Sequence, residues 1–384
     1  MVPAPDRFLH SSRMSVATDR PAGNAPSGRS SDPVARWLLM VGALVIVMVV
    51  VGGFVRLSRA GLSIVEWDVV TGVVPPIGEA AWEESFADYQ QTPEYLLVNR
   101  GMTLGDYQRI FYIEWAHRLI ARVAGLLVVL PLLWFLWKGV LSVRASLRYW
   151  GIAALFGIQG VIGWVMVSSG LRDRPVVSHF RLTIHLIAAL ALLGIVLWMA
   201  LDRLAPRQFD DRTNRHSRSR MSRPLAWALL SAVVVQIAYG GLVAGLKAGY
   251  VSDTWPLMFG RVVPQGLLTV HEPWWVNLVE PIGSHWVHRW FAFLPVVLAA
   301  ALLVAVRRDH AGSRPLSIAC GLLLAALGVQ IAVGIGVVVW GVPKWLALAH
   351  QGIGVVLFSV VLVITHRVQR RFGARVSRPT RVVD

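Results

Sequence analysis

Long apolar runs recur along the chain and are separated by shorter segments that carry most of its charges. Each run is long enough to cross roughly 30 Å of hydrocarbon as an α-helix. The pattern therefore predicts an all-α integral membrane protein. The predicted transmembrane helices are eight, at about 37–55, 117–137, 147–167, 183–201, 225–246, 287–306, 316–339 and 346–365.

Composition supports this class and removes others. The chain is 55% hydrophobic and only 15% charged, and its mean hydropathy is +0.58. The net charge of +16 is spread between the apolar runs, so we predict no nucleic-acid partner. Cys320 is the single cysteine, so a disulfide or a cysteine metal site within one chain is excluded and redox chemistry would need a cofactor.

Lysine and arginine predict the orientation. The segments on the side of the two termini carry 24 of these residues and the opposite segments carry ten. Both termini should therefore be cytoplasmic, in the inner (plasma) membrane of a bacterium. A mitochondrial presequence, and so the mitochondrial inner membrane, is the less favoured alternative, because Asp6, Asp19 and Asp32 lie in the N-terminal segment and presequences are poor in acids.

The chain contains an internal repeat. Residues 52–76 align without a gap on residues 240–264 and match at nine positions, including Trp67 with Trp255. At a second offset Trp115 and His117 fall on Trp286 and His288, and after the next loop His185 falls on His350. Four helices in each repeat predict two tandem four-helix bundles related by pseudo-twofold symmetry along the membrane normal.

The repeat divides the chain into five predicted segments. The long outer loop 56–113 contains the amphipathic stretch AWEESFADYQ and should fold partly over the membrane surface. The segments are a disordered cytoplasmic tail (1–36), an N-terminal half (37–201), a basic linker (202–223), a C-terminal half (224–366) and a basic tail (367–384).

Two histidines in each half are predicted near the outer membrane face. They are His117 and His185, then His288 and His350. Neutral imidazoles on facing bundle helices are suitable axial ligands for haem iron. Histidines that cap or bridge helices are the alternative, but their repetition in both halves favours the haem ligands. His179, His271 and His285 lack a repeat partner, and their roles stay open; His10, His216, His310 and His366 are expected in solvated cytoplasmic segments.

Arginines accompany these histidines. Arg118 and Arg289 each follow one, Arg122 lies one turn beyond Arg118, and Arg181 lies one turn before His185. Haem propionates need cations, so these arginines are candidates to orient the macrocycle. Snorkelling to the interface is the alternative.

The two halves differ at one informative position. Glu114 lies three residues before His117, whereas the corresponding residue of the second half is His285. A carboxylate at the hydrocarbon boundary is usually functional, as a base or as the stabiliser of a nearby cation. An exposed acid favoured by the helix dipole is the alternative. The asymmetry suggests that the first half carries out chemistry and the second supports it.

Taken together, these motifs resemble the haem A synthase family, in its proteobacterial and mitochondrial branch. The resemblance covers about 37–366 and is carried by GLSIVEW, TGVVPP, PEY, NRGMTL, EWAHRLIAR, DRPVVSHFRLTIHL, TWPLMFGRVVP, VHRW and HQG. The other main branch has a cysteine pair in the first outer loop, and this chain has none there. A thiol-based electron path is therefore not expected.

The resemblance implies an activity and roles for the residues. The enzyme would oxidise the C8 methyl group of haem O to the formyl group of haem A, by successive hydroxylations with oxygen from water. His117 and His185 would flank the substrate haem, Glu114 would be catalytic, and His288 and His350 would bind haem b. Haem O synthase and the cytochrome oxidase assembly machinery would be partners.

Two other functions are weighed against it. A di-haem membrane cytochrome b that only transfers electrons would use the same four histidines. A transporter built from parallel repeats would need interrupted helices near the midplane, and the apolar runs predict none. The electron acceptor and the oligomeric state stay open, and a homo-oligomer is compatible with the sequence.

Overall fold

In the computed structural model, the described residues are 32–66, 71–171, 175–205, 221–309 and 313–373. The predicted tail at 1–36 therefore lies almost wholly outside them, as do Trp67, most of the linker and the end of the C-terminal tail. Three of the histidines expected in the cytoplasm, at positions 10, 216 and 310, also lie outside.

The described part of the chain folds into α-helices joined by loops and short 3-10 turns. Eight spans are long and apolar enough to cross a membrane, as predicted. The helices are α1 (Pro33–Leu57), α2 (Glu79–Gln90), α3 (Pro93–Leu97), α4 (Leu104–Trp137), α5 (Val143–Ser168), α6 (His179–Leu204), α7 (Ser222–Gly245), α8 (Pro281–Phe291), α9 (Phe293–Asp309), α10 (Arg314–Val339) and α11 (Lys344–Gly373).

The sixth span, Pro281–Asp309, is divided into α8 and α9 by one residue, which itself keeps helical backbone angles. The break lies at Ala292, four residues beyond His288. Pro295 explains it, because proline has no N–H to donate and its ring clashes with the carbonyl four residues earlier, that of Phe291. The helical hydrogen-bond pattern of the sixth span is therefore interrupted one turn beyond a candidate haem ligand.

The outer loop of the first half is partly folded, as predicted. The amphipathic stretch forms α2, and α4 begins at Leu104, well before the predicted apolar run. The capping box of Thr103 and Asp106 starts α4 there. Trp82 and Tyr89 of α2 pack against Tyr107 and Phe111 in the early turns of α4. This aromatic cluster holds the loop over the outer end of the first bundle.

Each half is a ring of four helical spans. In the first half α1, α4, α5 and α6 are neighbours in that order and α6 returns to α1. In the second half α7, α9, α10 and α11 close in the same way, with α8 against α7. The helices that carry the paired histidines are therefore diagonal to each other. The halves meet where α1 and α6 pack against α11 and α7.

The deepest packing lies away from the histidines. On α6 the buried residues run from Ala189 to Ala200, and α5 buries only residues near its inner end, between Ser146 and Ile152. The side chains of the four paired histidines are half-buried. The hydrophobic core thus joins the two halves at the ends of the spans that lie opposite to the paired histidines.

One predicted cytoplasmic histidine is not solvated. His366 is only 3% exposed, and its Nε2 lies 2.8 Å from Oδ1 of Asp202. The reason is that α11 continues to Gly373, which keeps His366 inside a helix packed against α6.

Candidate functional site

His288 and His350 face each other across the second bundle. Their ring centroids are 6.2 Å apart, and the ring planes make an angle of 78°. When two imidazoles bind one iron from opposite sides, the distance between their ring centroids is the sum of two iron–nitrogen bonds of about 2 Å and the two distances from nitrogen to ring centre. That sum is about 6 Å. The spacing therefore fits two axial ligands on opposite sides of one haem iron.

His117 and His185 occupy the corresponding places in the first half, on the diagonal helices α4 and α6. Among the described residues, no group of three or more His, Cys, Asp or Glu side chains is arranged to hold a bare metal ion. Pairs of histidines are what an iron needs when a macrocycle supplies its other four ligands.

Each of these four histidines lies against a glycine of a neighbouring helix. A Cβ at three of the glycines would approach the ring to between 2.8 and 3.1 Å, and at the fourth to 3.4 Å. The pairs are Gly52 with His117, Gly163 with His185, Gly240 with His288 and Gly334 with His350. The absence of a side chain at these positions lets each imidazole approach the backbone of the neighbouring helix closely. By contrast, Gly157 and Gly160 of the same helix as Gly163 have open space where a Cβ would be.

Glutamines lie beside three of the four histidines, one turn before the glycine. Nε2 of each donates 2.9 Å to the backbone carbonyl of its histidine: Gln159 to His185, Gln236 to His288 and Gln330 to His350. Nε2 of Gln159 and of Gln236 also lies 3.2 Å from the histidine Nδ1. Gln236 was missed by sequence reasoning. The pattern Q-x-x-x-G ahead of each histidine was the available signal.

Glu114 is 3% exposed and is held by four hydrogen bonds. Its Oε2 accepts from the Ser63 N–H and hydroxyl, both at 2.8 Å, and from the Ile64 N–H at 3.0 Å. Its Oε1 accepts from Arg118 at 2.7 Å. The carboxylate is thus fixed on the histidine-bearing helix, one turn before His117. Ser63 was missed by sequence reasoning, since nothing in the sequence shows which loop residue meets this carboxylate.

Arg118 and Arg289 bind equivalent loops in the two halves. Arg118 donates to the carbonyls of Ile64 and Glu66, and Arg289 donates to those of Ser252 and Thr254. These carbonyls correspond in the repeat alignment. The contacts place both guanidinium groups under the outer loops, beside the candidate haem sites.

The other candidate cations lie at the outer ends of the bundle. Arg122 is half-buried on α4, one turn beyond Arg118. Arg181 is exposed near the start of α6 and donates 2.8 Å to the carbonyl of Val165. Both remain candidates for a propionate.

Two of the three unassigned histidines have defined surroundings. His285 is 2% exposed and accepts a hydrogen bond of 3.0 Å from Nε of Arg289, which makes it the structural counterpart of Glu114. His179 begins α6 and packs beside Gly245 of α7. For His271 the hydrogen bonds join its backbone to Asn277.

Glu94 of α3 lies in the folded outer loop and is 6% exposed. Burial raises the pKa of its carboxyl group and the charge of Glu114 adds to the rise, while Lys247 and Arg59 oppose it. The loop above Glu114 therefore contains a second acid, whose carboxyl group loses its proton less readily than an exposed one.

The chain matches a family model described as a cytochrome oxidase assembly protein, COX15-CtaA, over residues 35–362. A heme A synthase of Bradyrhizobium sp. strain ORS 278 is 41% identical over 360 residues, covering 93% of this chain and 97% of that protein. Those of Rhodopseudomonas palustris strain BisB5 and Sphingopyxis alaskensis are 42% and 40% identical, over 87% and 88% of this chain and 91% and 92% of their own lengths.

Proposed function

Because the chain belongs to the COX15-CtaA family of cytochrome oxidase assembly proteins, we propose that it oxidises the C8 methyl group of haem O to the formyl group of haem A. It is an oxidoreductase of haem A synthesis with eight candidate membrane spans. The observation that carries the proposal is the buried Glu114 beside His117, at the position where the second half has His285.

The first half is the proposed substrate site. His117 and His185 lie on diagonal helices and bind the iron of haem O from its two faces. Arg118, Arg122 and Arg181 lie on the same outer side and are the candidate partners of the propionates. The glycines Gly52 and Gly163 leave room for the imidazoles to lie against the helices.

Glu114 is the proposed catalytic residue. Oxidation of the methyl carbon leaves it electron-poor, and a fixed carboxylate nearby stabilises such a centre and accepts a proton from the attacking water. Oε1 accepts one protein hydrogen bond whereas Oε2 accepts three, so Oε1 has the lone pair for that proton. Each of two hydroxylations takes its oxygen from water and releases two electrons and two protons, the electrons passing to an external one-electron acceptor. Loss of one water from the resulting diol then gives the formyl group.

The second half is the proposed site of a haem b. His288 and His350 would hold that haem, and the ring separation of 6.2 Å and the close approach of Gly240 and Gly334 to the two rings support this. A haem b held there supplies one-electron transfer. Arg289 lies under the loop beside it as the propionate candidate.

The setting follows from the same family and from the charges. We infer a bacterial inner membrane with both termini in the cytoplasm, substrate delivered by haem O synthase, and product used in cytochrome oxidase assembly. A transporter is the weaker alternative, because the one-residue break at Ala292 keeps helical backbone angles and family membership favours the oxidoreductase.

The test is haem analysis of cells that make haem O and express this chain. Extracts should contain haem A, whereas an electron-transfer cytochrome would leave haem O unchanged. The Glu114→Ala variant should remain membrane-inserted and haem-containing, and should accumulate haem O or its alcohol. Glu84→Ala, which removes an exposed acid of α2, is the matched control. Undiminished haem A in the Glu114→Ala variant would remove Glu114 from the mechanism.

A further inference from the structure

The four paired histidines share one local arrangement with a single departure. The helix against which each histidine packs carries the sequence Q-x-x-x-G at three of the sites: QGVIG at 159–163, QIAYG at 236–240 and QIAVG at 330–334. The fourth, on α1, reads MVVVG at 48–52. Met48 thus holds the position four residues before Gly52, the glycine that lies against His117, where the other three helices have a glutamine.

The three glutamines have an unused acceptor in common. Each donates from Nε2 to the backbone carbonyl of its histidine, and Oε1 of all three is buried without a hydrogen-bond partner. Nδ1 of His350 is likewise buried and without one. A buried amide oxygen beside an imidazole Nδ1 is a ready acceptor for an Nδ1–H, and leaving both unpaired is costly.

Such a hydrogen bond has a defined effect on an iron ligand. An imidazole that binds iron through Nε2 carries its proton on Nδ1, and an acceptor for that proton fixes the tautomer and the ring orientation and makes the ligand more basic. At two of the sites Nε2 is the amide atom that lies 3.2 Å from Nδ1. A half-turn of the carboxamide about its Cγ–Cδ bond exchanges the two amide atoms and brings Oε1 to Nδ1. A thioether has no comparable oxygen and is only a weak acceptor.

The ring of His117 also lies differently from the other three. A Cβ at Gly163, Gly240 or Gly334 would meet the Cε1 edge of the imidazole first. At Gly52 the nearest atoms are Nε2, at 3.4 Å, and Cδ2. Among the described residues, no side-chain hydrogen bond to the His117 ring is found.

We propose that Gln159, Gln236 and Gln330 are positioning residues for three iron ligands, and that Met48 leaves His117 as the ligand whose bond to iron opens. This inference rests on the proposed function, since it assumes that the four histidines bind haem. It gives the two ligands of the first half different roles. His185 keeps its bond to the iron, and His117 releases the iron when substrate haem is exchanged. The haem of the second half has a carboxamide behind both ligands and stays bound.

The test uses the full-length protein purified from cells that supply haem O. The reduced protein is titrated with carbon monoxide, which binds haem iron only where an axial ligand leaves. The haem content is measured in parallel, and the expected result is carbon monoxide binding at one of the two haems. Met48→Gln should abolish that binding and slow haem transfer to apomyoglobin about tenfold. Gln236→Met should make the second haem reactive as well.

Gln369→Met, far from all four histidines on α11, is the control and should behave as wild type. Equal reactivity of both haems, or no response to Met48→Gln with both haems present, would overturn the inference and leave the proposed function standing. A purified protein without any haem would overturn both.

Discussion

Arg118 donates to Glu114 at 2.7 Å, and at the same place in the second half Arg289 donates to His285 at 3.0 Å. Both arginines also bind two carbonyls of the loop above them. In both halves, therefore, an arginine joins the loop to the helix. This contact differs between the halves only in the helix residue that the arginine binds. In the first half it holds a buried carboxylate, which is the chemical difference between the proposed substrate and cofactor sites.

Replacing Arg118 by Lys should impair haem A formation more than it impairs folding. A lysine keeps the charge but cannot bind Glu114, Ile64 and Glu66 at once, because it lacks the planar fork of arginine. One lost hydrogen bond to a charged group is worth roughly 1.5 to 3 kcal/mol, so haem A formation should fall at least about tenfold. The measurement is haem A per chain in membranes, with Arg109→Lys, an exposed residue of the same helix, as control. Equal haem A yields from the two variants would contradict the role of Arg118 in joining the loop to Glu114.

Replacing Gly334 by Ala should displace His350. The new Cβ would lie 2.8 Å from Cε1 of that ring, closer than packed atoms tolerate, so haem should be lost from the second half. Gly328→Ala changes the same helix at a position with open space and should retain the haem. The haem-to-protein ratio of the two purified variants checks this prediction, and a normal ratio for Gly334→Ala would show that the ring does not need this glycine.

Replacing Gly53 by Ala should weaken the contact between the two halves. A Cβ there would lie 2.6 Å from Cδ of Gln351, whose Nε2 donates 2.7 Å to the carbonyl of Val49 across the interface. Loss of that bond and of the close approach should lower the midpoint of thermal unfolding by several degrees. Gly125→Ala, in open space on α4, should leave it unchanged or raise it. A normal midpoint for Gly53→Ala would contradict the importance of this contact.

Replacing Glu94 by Gln should change how stability depends on pH. Burial raises the pKa of Glu94 above its usual value of 4.5, so the folded state binds this proton more tightly than the unfolded chain does. Its stabilising contribution is therefore present at acidic pH and is lost as the pH rises through the raised pKa. The difference in unfolding midpoint between the Glu94→Gln variant and wild type should grow in favour of the variant from about pH 4.5 upward. A difference that is constant with pH would show that burial does not perturb this group.

The sequence predicted the spans because a helix that crosses a bilayer needs a continuous apolar run, and such a run can be recognised from neighbouring residues alone. It predicted the paired histidines because the repeat placed them in register. It did not predict the break after His288, because a run of apolar residues has the same mean hydropathy whether or not Pro295 interrupts it. Nor did it predict that α4 begins at Leu104, since those turns are stabilised by aromatic contacts with α2 rather than by lipid.

The residues that hydrogen-bond to Glu114 and to the paired histidines were less predictable than Glu114 and the histidines themselves. The hydrogen bonds from Ser63 to Glu114 join residues 51 positions apart, and the contact of Gln236 with His288 joins residues 52 apart. Such contacts depend on which helix faces bundle together, which periodicity does not encode. The repeated Q-x-x-x-G pattern would have indicated the glutamines, and with them the exception at Met48.

The most direct test of two unequal haem sites is the identity of the haems bound to purified variants. Protein from cells that supply haem O is extracted, and the haems are identified by pyridine haemochrome spectra and chromatography. Wild type should contain haem b together with haem O or haem A. His350→Ala should lose the haem b and keep the other, and His185→Ala should do the reverse. Loss of the same haem from both variants, or a wild-type protein without haem, would contradict the assignment of one substrate site and one cofactor site.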